Sequence, residues 1–308
     1  MKIVIALGGN ALGDTPSEQK ELVRVPAQKV ASLVKNGHTV VVGHGNGPQV
    51  GMIFNAFADA KKVNPKTPHV PFAEAGGMSQ GYIGYHMLAA IQTELNKLNL
   101  KNSVAYFETM TYVDPNDPAF QKPTKPVGPF YATEEEAKNA NPNSTIVEDA
   151  GRGYRVVVPS PKPINFLGIE AIKHAIDNGV ISIVGGGGGI PTITKDGIVT
   201  GLDGVIDKDF TCAKIGEQVD ADILVILTAV DHVYVNWGKP DQKGLDTATV
   251  AEMEKYISEN QFAPGSMLPK VQAAINFVKG RPGKKAIIAD LKDIEQALEG
   301  KIGTAIIA

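Results

Sequence analysis

Two lysines in this sequence stand where a helix dipole opposes them. The run Val205-Ile206-Asp207-Lys208-Asp209-Phe210 leads from a short apolar pair into a helix expected over Thr211–Val219. Lys208 therefore falls near a helix N-terminus, where a cation is disfavoured by roughly 0.3–1 kcal/mol. Lys270 has the same fault: Ser266 is a natural N-cap, Pro269 suits a first turn, and Lys270 follows it. A solvated surface lysine accounts for either one alone, and Asp209 alone reads as an ordinary first-turn acid. Two cationic first turns in one chain point to a site that holds a polyanion, since locally broken rules are expected where function imposes them. Lys125 lies in Pro123-Thr124-Lys125-Pro126, whose prolines fix the backbone. By itself it is a weak third candidate.

Glycine loops supply the other half of an anion site. Gly8-Gly9-Asn10, Gly43-His44-Gly45-Asn46-Gly47-Pro48 and Gly185 to Gly189 each follow an apolar run. Glycine lets backbone N–H groups approach an anion, and a following helix adds positive potential. Tight turns alone are the bland alternative. The familiar nucleotide motifs are absent. Gly8 and Gly13 have P-loop spacing, but Asp14 follows in place of lysine. A dinucleotide fingerprint begun at Gly45 finds Gly47, then meets Val50 where its third glycine belongs. His44 has no neighbouring nucleophile or metal-ligand spacing and reads as structural. We find no Cys/His metal cluster and no serine-hydrolase elbow, and Cys212 reads as a small apolar residue in a helix.

These residues need a scaffold, and the pattern of the chain provides one. Ile3–Leu7, Val40–Val42, Val104–Phe107, Ile181–Val184, Ile223–Leu227, Ala286–Ala289 and Ala305–Ile307 read as buried strands. Between them lie helical periods: Ile83, Met87, Ile91 and Leu95 share one face of a helix over about Ser79–Leu98. Val271, Ala274 and Val278, with Ala273 and Phe277, do the same after Ser266. Such alternation predicts an α/β fold with a mostly parallel sheet covered on both faces. The stretch from Asp114 to about Pro163 breaks this rhythm with dense prolines and charges, and its strand-like pieces at Ile146–Val147 and Val156–Val158 predict a small ordered subdomain.

With 308 residues, 43% apolar and 20% charged, the chain suits one continuous body in two lobes. A formal net charge of −3 gives no global pull toward nucleic acid or membrane. One cysteine, no signal-peptide pattern and no membrane-length apolar run predict a cytoplasmic protein.

Taken together, the motifs resemble one family. Ala6-Leu7-Gly8-Gly9-Asn10-Ala11-Leu12, His44 to Gly51 (HGNGPQVG), Ser79 to Gly84 (SQGYIG), Pro123 to Tyr131 (PTKPVGPFY) and Arg155 to Pro163 are similar, in order, to carbamate kinase motifs. So are Gly185 to Pro191, Val205 to Asp209, Leu227 to Lys239 and Phe262 to Val271 (FAPGSMLPKV). The resemblance implies a three-layer αβα sandwich with two lobes and a small protruding subdomain. Residues 1–165 would form the carbamate- and phosphoryl-binding lobe, with the subdomain at about 114–163, and 166–308 the nucleotide-binding lobe. It implies a homodimer that uses ATP/ADP with Mg2+ bound to the nucleotide, and no metal held by the protein alone. Gly8, Gly9, Asn10, Gly45, Asn46 and Gly47 would hold the carbamoyl and transferring phosphoryl groups. Lys125 would reach in from the subdomain, Lys208 and Lys270 would neutralise phosphates, and Asp209 would orient the lysines and help place magnesium. Thr228, Ala229, Val230, Tyr234, Met267 and Pro269 would line the nucleotide site. Acetylglutamate-kinase-like enzymes carry a lysine two residues before the paired glycines; here that position is Ala6, which fits the carbamate kinase pattern. The reaction implied is the reversible one between MgATP plus carbamate and MgADP plus carbamoyl phosphate, run in the cell toward ATP synthesis. Another acyl-phosphate-forming carboxylate kinase and a non-catalytic nucleotide sensor are the competing readings.

Overall fold

The structure, a computed structural model, describes residues 1–308 except 9–11, 14, 143 and 150. Its centre is an eight-stranded sheet. From one edge to the other the strands run Thr247–Thr249, Thr304–Ile307, Lys285–Asp290, Ile223–Thr228, Lys2–Leu7, Thr39–His44, Ile181–Ile183 and Val104–Tyr106. All neighbours pair parallel except Lys285–Asp290 with Thr304–Ile307, which pair antiparallel.

The central strands are apolar on both faces because both faces are covered. Along Lys2–Leu7, residues Ile3, Ile5 and Leu7 join one hydrophobic cluster and Val4 and Ala6 the other. On the first face lie the helices Arg24–Lys35 and Phe72–Lys97, which contribute Val30, Leu33, Ile83, Met87, Ile91 and Leu95. On the second lie Ile169–Asp177, Lys208–Gln218 and Met267–Val278, with Ile172, Ile215, Ala274 and Phe277 among the buried residues. Three layers, αβα, result.

Seven of the eight strands coincide with the apolar runs of the sequence. The eighth, Thr247–Thr249, has no such run. Two helices begin earlier than their periodicity suggested. The long one starts at Phe72 rather than near Ser79. Its first turns carry Gly76 and Gly77, and a Cβ on Gly77 would lie 2.6 Å from Glu108 Oε1, so close packing has replaced the apolar signal there. The other starts at Lys208 itself, because Asp207 caps it.

The proline- and charge-rich segment folds into structure of its own. Lys125–Tyr131, Tyr154–Val158 and Thr145–Glu148 form a three-stranded antiparallel sheet, with the helix Glu134–Ala140 against it. It leans on the helix Gly47–Val63 through a small apolar cluster that includes Val50, Val127 and Val205.

Candidate functional site

The strand Lys2–Leu7 is the point where the winding of the sheet reverses. Thr39–His44 builds outward on one side of it and Ile223–Thr228 on the other. Open α/β sheets bind ligands beyond the carboxyl ends of their strands at such a point. A crevice of about 560 Å³ opens there. Its floor includes Gly8 and Thr228 with Ala229, at the ends of two central strands. Gly45, Asn46 and Gly47 form one wall, Lys208 with Asp209 and Pro269 with Lys270 another, and Lys125 faces them from the three-stranded sheet.

The charges form one connected network. Lys125 Nζ lies 2.7 Å from Asp207 Oδ2. The other oxygen of Asp207 accepts the Asp209 N–H at 2.9 Å, capping the helix that starts at Lys208. Lys208 donates to one Asp209 oxygen, and Lys270 Nζ lies 2.8 Å from the other. Among the described lining residues three lysines face two carboxylates, an excess of positive charge. Burial would raise the Asp207 carboxyl, but Lys125 and Lys208 outweigh it and hold the group well below the usual carboxylate range. Burial likewise works against the Lys208 ammonium, and Asp209 and Asp207 overcome it, so its pKa rises. Lys270 goes the other way: burial and the Lys208 charge lower its pKa despite Asp209.

The wall of glycines is built with equal closeness. The Gly45 N–H donates to Leu7 O at 3.0 Å, extending the strand pairing. The free end of the helix Gly47–Val63 then points at the crevice, with first-turn N–H groups that have no partner within the helix. Asn46 donates from its side-chain amide to Ser79 Oγ at 2.8 Å and packs on Gly187, which has φ +59 and where any Cβ would overlap that amide. His44 is fully buried, its Nδ1 2.9 Å from Gly45 O. Burial pushes its pKa down to about 4, which favours the neutral ring. Cys212 is also buried, against Gly43, with its thiol pushed up to about 12 by burial.

The structure thus brings together Gly8, Gly45, Asn46, Gly47, Lys125, Lys208, Asp209, Thr228, Ala229, Pro269 and Lys270. Gly9 and Asn10 lie outside the described residues. Val230, Tyr234 and Met267 are not among the residues that line the crevice. Tyr234 donates instead to Asp231 Oδ1 at 2.8 Å and meets Trp237 edge-on, while Met267 packs against the core. Ser266 occupies the N-cap position but makes no side-chain capping bond, and it borders the crevice. Two residues of consequence were missed. Asp207 pairs with Lys125 and caps the helix that carries Lys208 and Asp209, and its signal was the N-cap rule applied three residues too late in the chain. Lys162 holds its Nζ 3.7 Å from the Phe210 ring centre, on the first turn of the same helix, and its flanking Pro161 and Pro163 resemble the setting of Lys125.

Glycine turns, helix N-termini and clustered ammonium groups at the carboxyl edge of a doubly covered parallel sheet define a protein that holds phosphoryl groups. The model of the amino acid kinase family matches residues 1–290. A carbamate kinase-like protein of Mycoplasma pneumoniae is 58% identical over 307 residues, covering 99% of each chain. Carbamate kinase 3 of Staphylococcus aureus is 47% identical over 306 residues, again covering 99% of each. Among solved structures, the carbamate kinase of Giardia lamblia bound to AMP-PNP superposes with a TM-score of 0.90 at 42% identity, covering 99% of this chain and 98% of that one. The chain belongs to the amino acid kinase family and, within it, to the carbamate kinases.

Proposed function

We propose that the protein catalyses reversible phosphoryl transfer between ATP and carbamate, giving ADP and carbamoyl phosphate. The observation that carries this reading is the state of the two carboxylates in the crevice. Asp207 has its oxygens on Lys125 and on the Asp209 N–H, and Asp209 has its own on Lys208 and Lys270. Among the described lining residues neither acid is free to deprotonate an acceptor. A carbamate oxygen is already anionic and needs no base. What the reaction needs is alignment of the attacking and leaving oxygens and neutralisation of charge on the transferring group. Lys208 and Lys270 supply the cations on the body side and Lys125 on the opposite side, while Gly8, Asn46 and Gly47 border the acceptor's place.

The same bonding bears on magnesium. Among the described residues no group of three or more His, Cys, Asp or Glu is placed to hold a metal ion. This donor set fits an ion that arrives on nucleotide phosphates, with Asp207 and Asp209 the acids beside it. Bound so, it would neutralise phosphate oxygens during transfer. We assign residues 1–165 to the acceptor side, with 114–163 as the protruding subdomain, and 166–308 to the nucleotide. We also infer a homodimer working in the cytoplasm; no helix among the described residues is long and apolar enough to cross a membrane. The direction in the cell is toward ATP, since an acyl phosphate is the stronger phosphoryl donor.

The test is ATP formation from MgADP and carbamoyl phosphate by wild type and Lys208→Ala. The expected result is rapid synthesis that falls about 10²–10³-fold in the variant, the scale for losing one preorganised charge-stabilising group. A folded wild type that makes no ATP would shift the reading to another carboxylate kinase. Tight nucleotide binding without any transfer would shift it to a sensor.

A further inference from the structure

Gly51 is in the fifth place of the helix Gly47–Val63, where alanine would be the better helix former. Its backbone does not call for glycine, since its φ is not positive. The reason lies across the gap: a Cβ on Gly51 would stand 2.8 Å from Gly128 Cα and 3.0 Å from Gly128 N. These are backbone atoms and cannot swing aside as the tip of a side chain can. Gly128 is specialised too. It has φ +71 and sits at the register shift between Val127 and Tyr131 in the three-stranded sheet. Its carbonyl accepts from Arg155 Nη2 at 2.8 Å and Nε at 3.2 Å, while Arg155 Nη1 bonds Asp149 at 3.2 Å. Helix and strand therefore meet backbone to backbone, three residues from Lys125. On its other side Lys125 is held by Asp207, and by no other carboxylate among the described residues of the crevice.

We propose that Gly51 and Gly128, clamped by Arg155, form a seat that sets how far Lys125 reaches into the crevice, and that they are positioning residues for transfer. This rests on the reading of Lys125 as a transfer residue. A Cβ at position 51 thrusts the strand outward and carries the ammonium group away from the transferring phosphoryl group, while Lys208, Lys270 and the nucleotide's side of the crevice stay in place. Gly76 offers a matched control, because it is also helical and a Cβ there meets nothing within 4 Å.

The experiment measures kcat and KM for ATP formation from MgADP and carbamoyl phosphate in Gly51→Ala, Lys125→Ala, the double variant and Gly76→Ala, with thermal melting of each. Gly51→Ala is expected to lose roughly 10- to 100-fold in kcat, the scale of an ångström-sized misplacement. Its KM for MgADP should hold, and the double variant should be no slower than Lys125→Ala. Gly76→Ala should keep wild-type turnover. A purely structural contact predicts instead that the two losses multiply. Multiplied losses, or full turnover in Gly51→Ala beside a crippled Lys125→Ala, overturn the seat and leave the transfer reading standing. Full turnover in Lys125→Ala removes that lysine's role and the seat with it. Should Gly51→Ala fail to fold, Arg155→Lys probes the same seat from the strand side and must show the same non-additivity with Lys125→Ala.

Discussion

Lys208 and Lys125 carry the same charge into one crevice by different means. Lys208 begins a helix whose Cys212, Ala213 and Ile215 are locked into the core, and its side chain is 11% exposed. Lys125 stands on a separate three-stranded sheet, 34% exposed, held by contacts that include a small apolar cluster, the Gly51–Gly128 approach and the ion pair with Asp207. The body of the protein offers charge that is fixed before the substrate arrives. The outlying sheet offers charge whose position depends on a few contacts. Fixed, desolvated groups stabilise developing charge more strongly than mobile, hydrated ones.

The sharpest way to break this comparison is to remove each cation in turn. Lys208→Ala should cost about 10²–10³-fold in kcat, and Lys125→Ala less, about 10- to 100-fold, because water already screens it. Equal losses would erase the distinction. A smaller effect divides the body's own lysines. Burial and the Lys208 charge lower the Lys270 pKa, whereas that of Lys208 is raised. The alkaline fall of kcat should then follow Lys270, and Lys270→Arg, whose guanidinium stays charged, should move that fall to higher pH. An unmoved limb in a pH–rate profile would assign it elsewhere.

Asp207 joins the two regions, and its contribution is read in stability. Its folded pKa is depressed, so its stabilisation is complete well above the unfolded value of 3.8 and is lost as pH falls through that value toward the folded one. Urea unfolding from pH 6 down to 2.5 should show this acid loss, and Asp207→Asn, which can still cap the helix, should flatten it while costing about 1–3 kcal/mol at neutral pH. The least effect belongs to Cys212. A buried thiol pushed up to about 12 should resist alkylation in the native protein at pH 8, and rapid labelling by mass spectrometry would contradict its packing.

The sequence spoke clearly where one physical demand ruled. Strands covered on both faces must be apolar throughout, so Ile3–Leu7 and Ile223–Leu227 were legible, while the edge strand Thr247–Thr249, Thr-Ala-Thr, was not. Lysines set against a helix dipole were legible, and Lys208 and Lys270 do share a carboxylate. Asp207 was hidden by a helix start placed at Thr211. The Gly51–Gly128 approach was out of reach, because 77 positions separate two residues whose only common property is a missing side chain. Lys162 over Phe210 was hidden in the same way.

The place of the first strand also bears on how the chain assembles. Lys2–Leu7 is paired on one side by residues 39–44 but on the other only by residues 223–228. As the chain leaves the ribosome, the first strand can find its near partner at once, then must wait for most of the polypeptide before its second edge closes. Through that interval the growing chain carries an open, apolar strand edge, the kind of surface that recruits other chains. Synthesis through Thr228 is therefore also the step that covers this edge, and a chain cut short before it would leave the edge open.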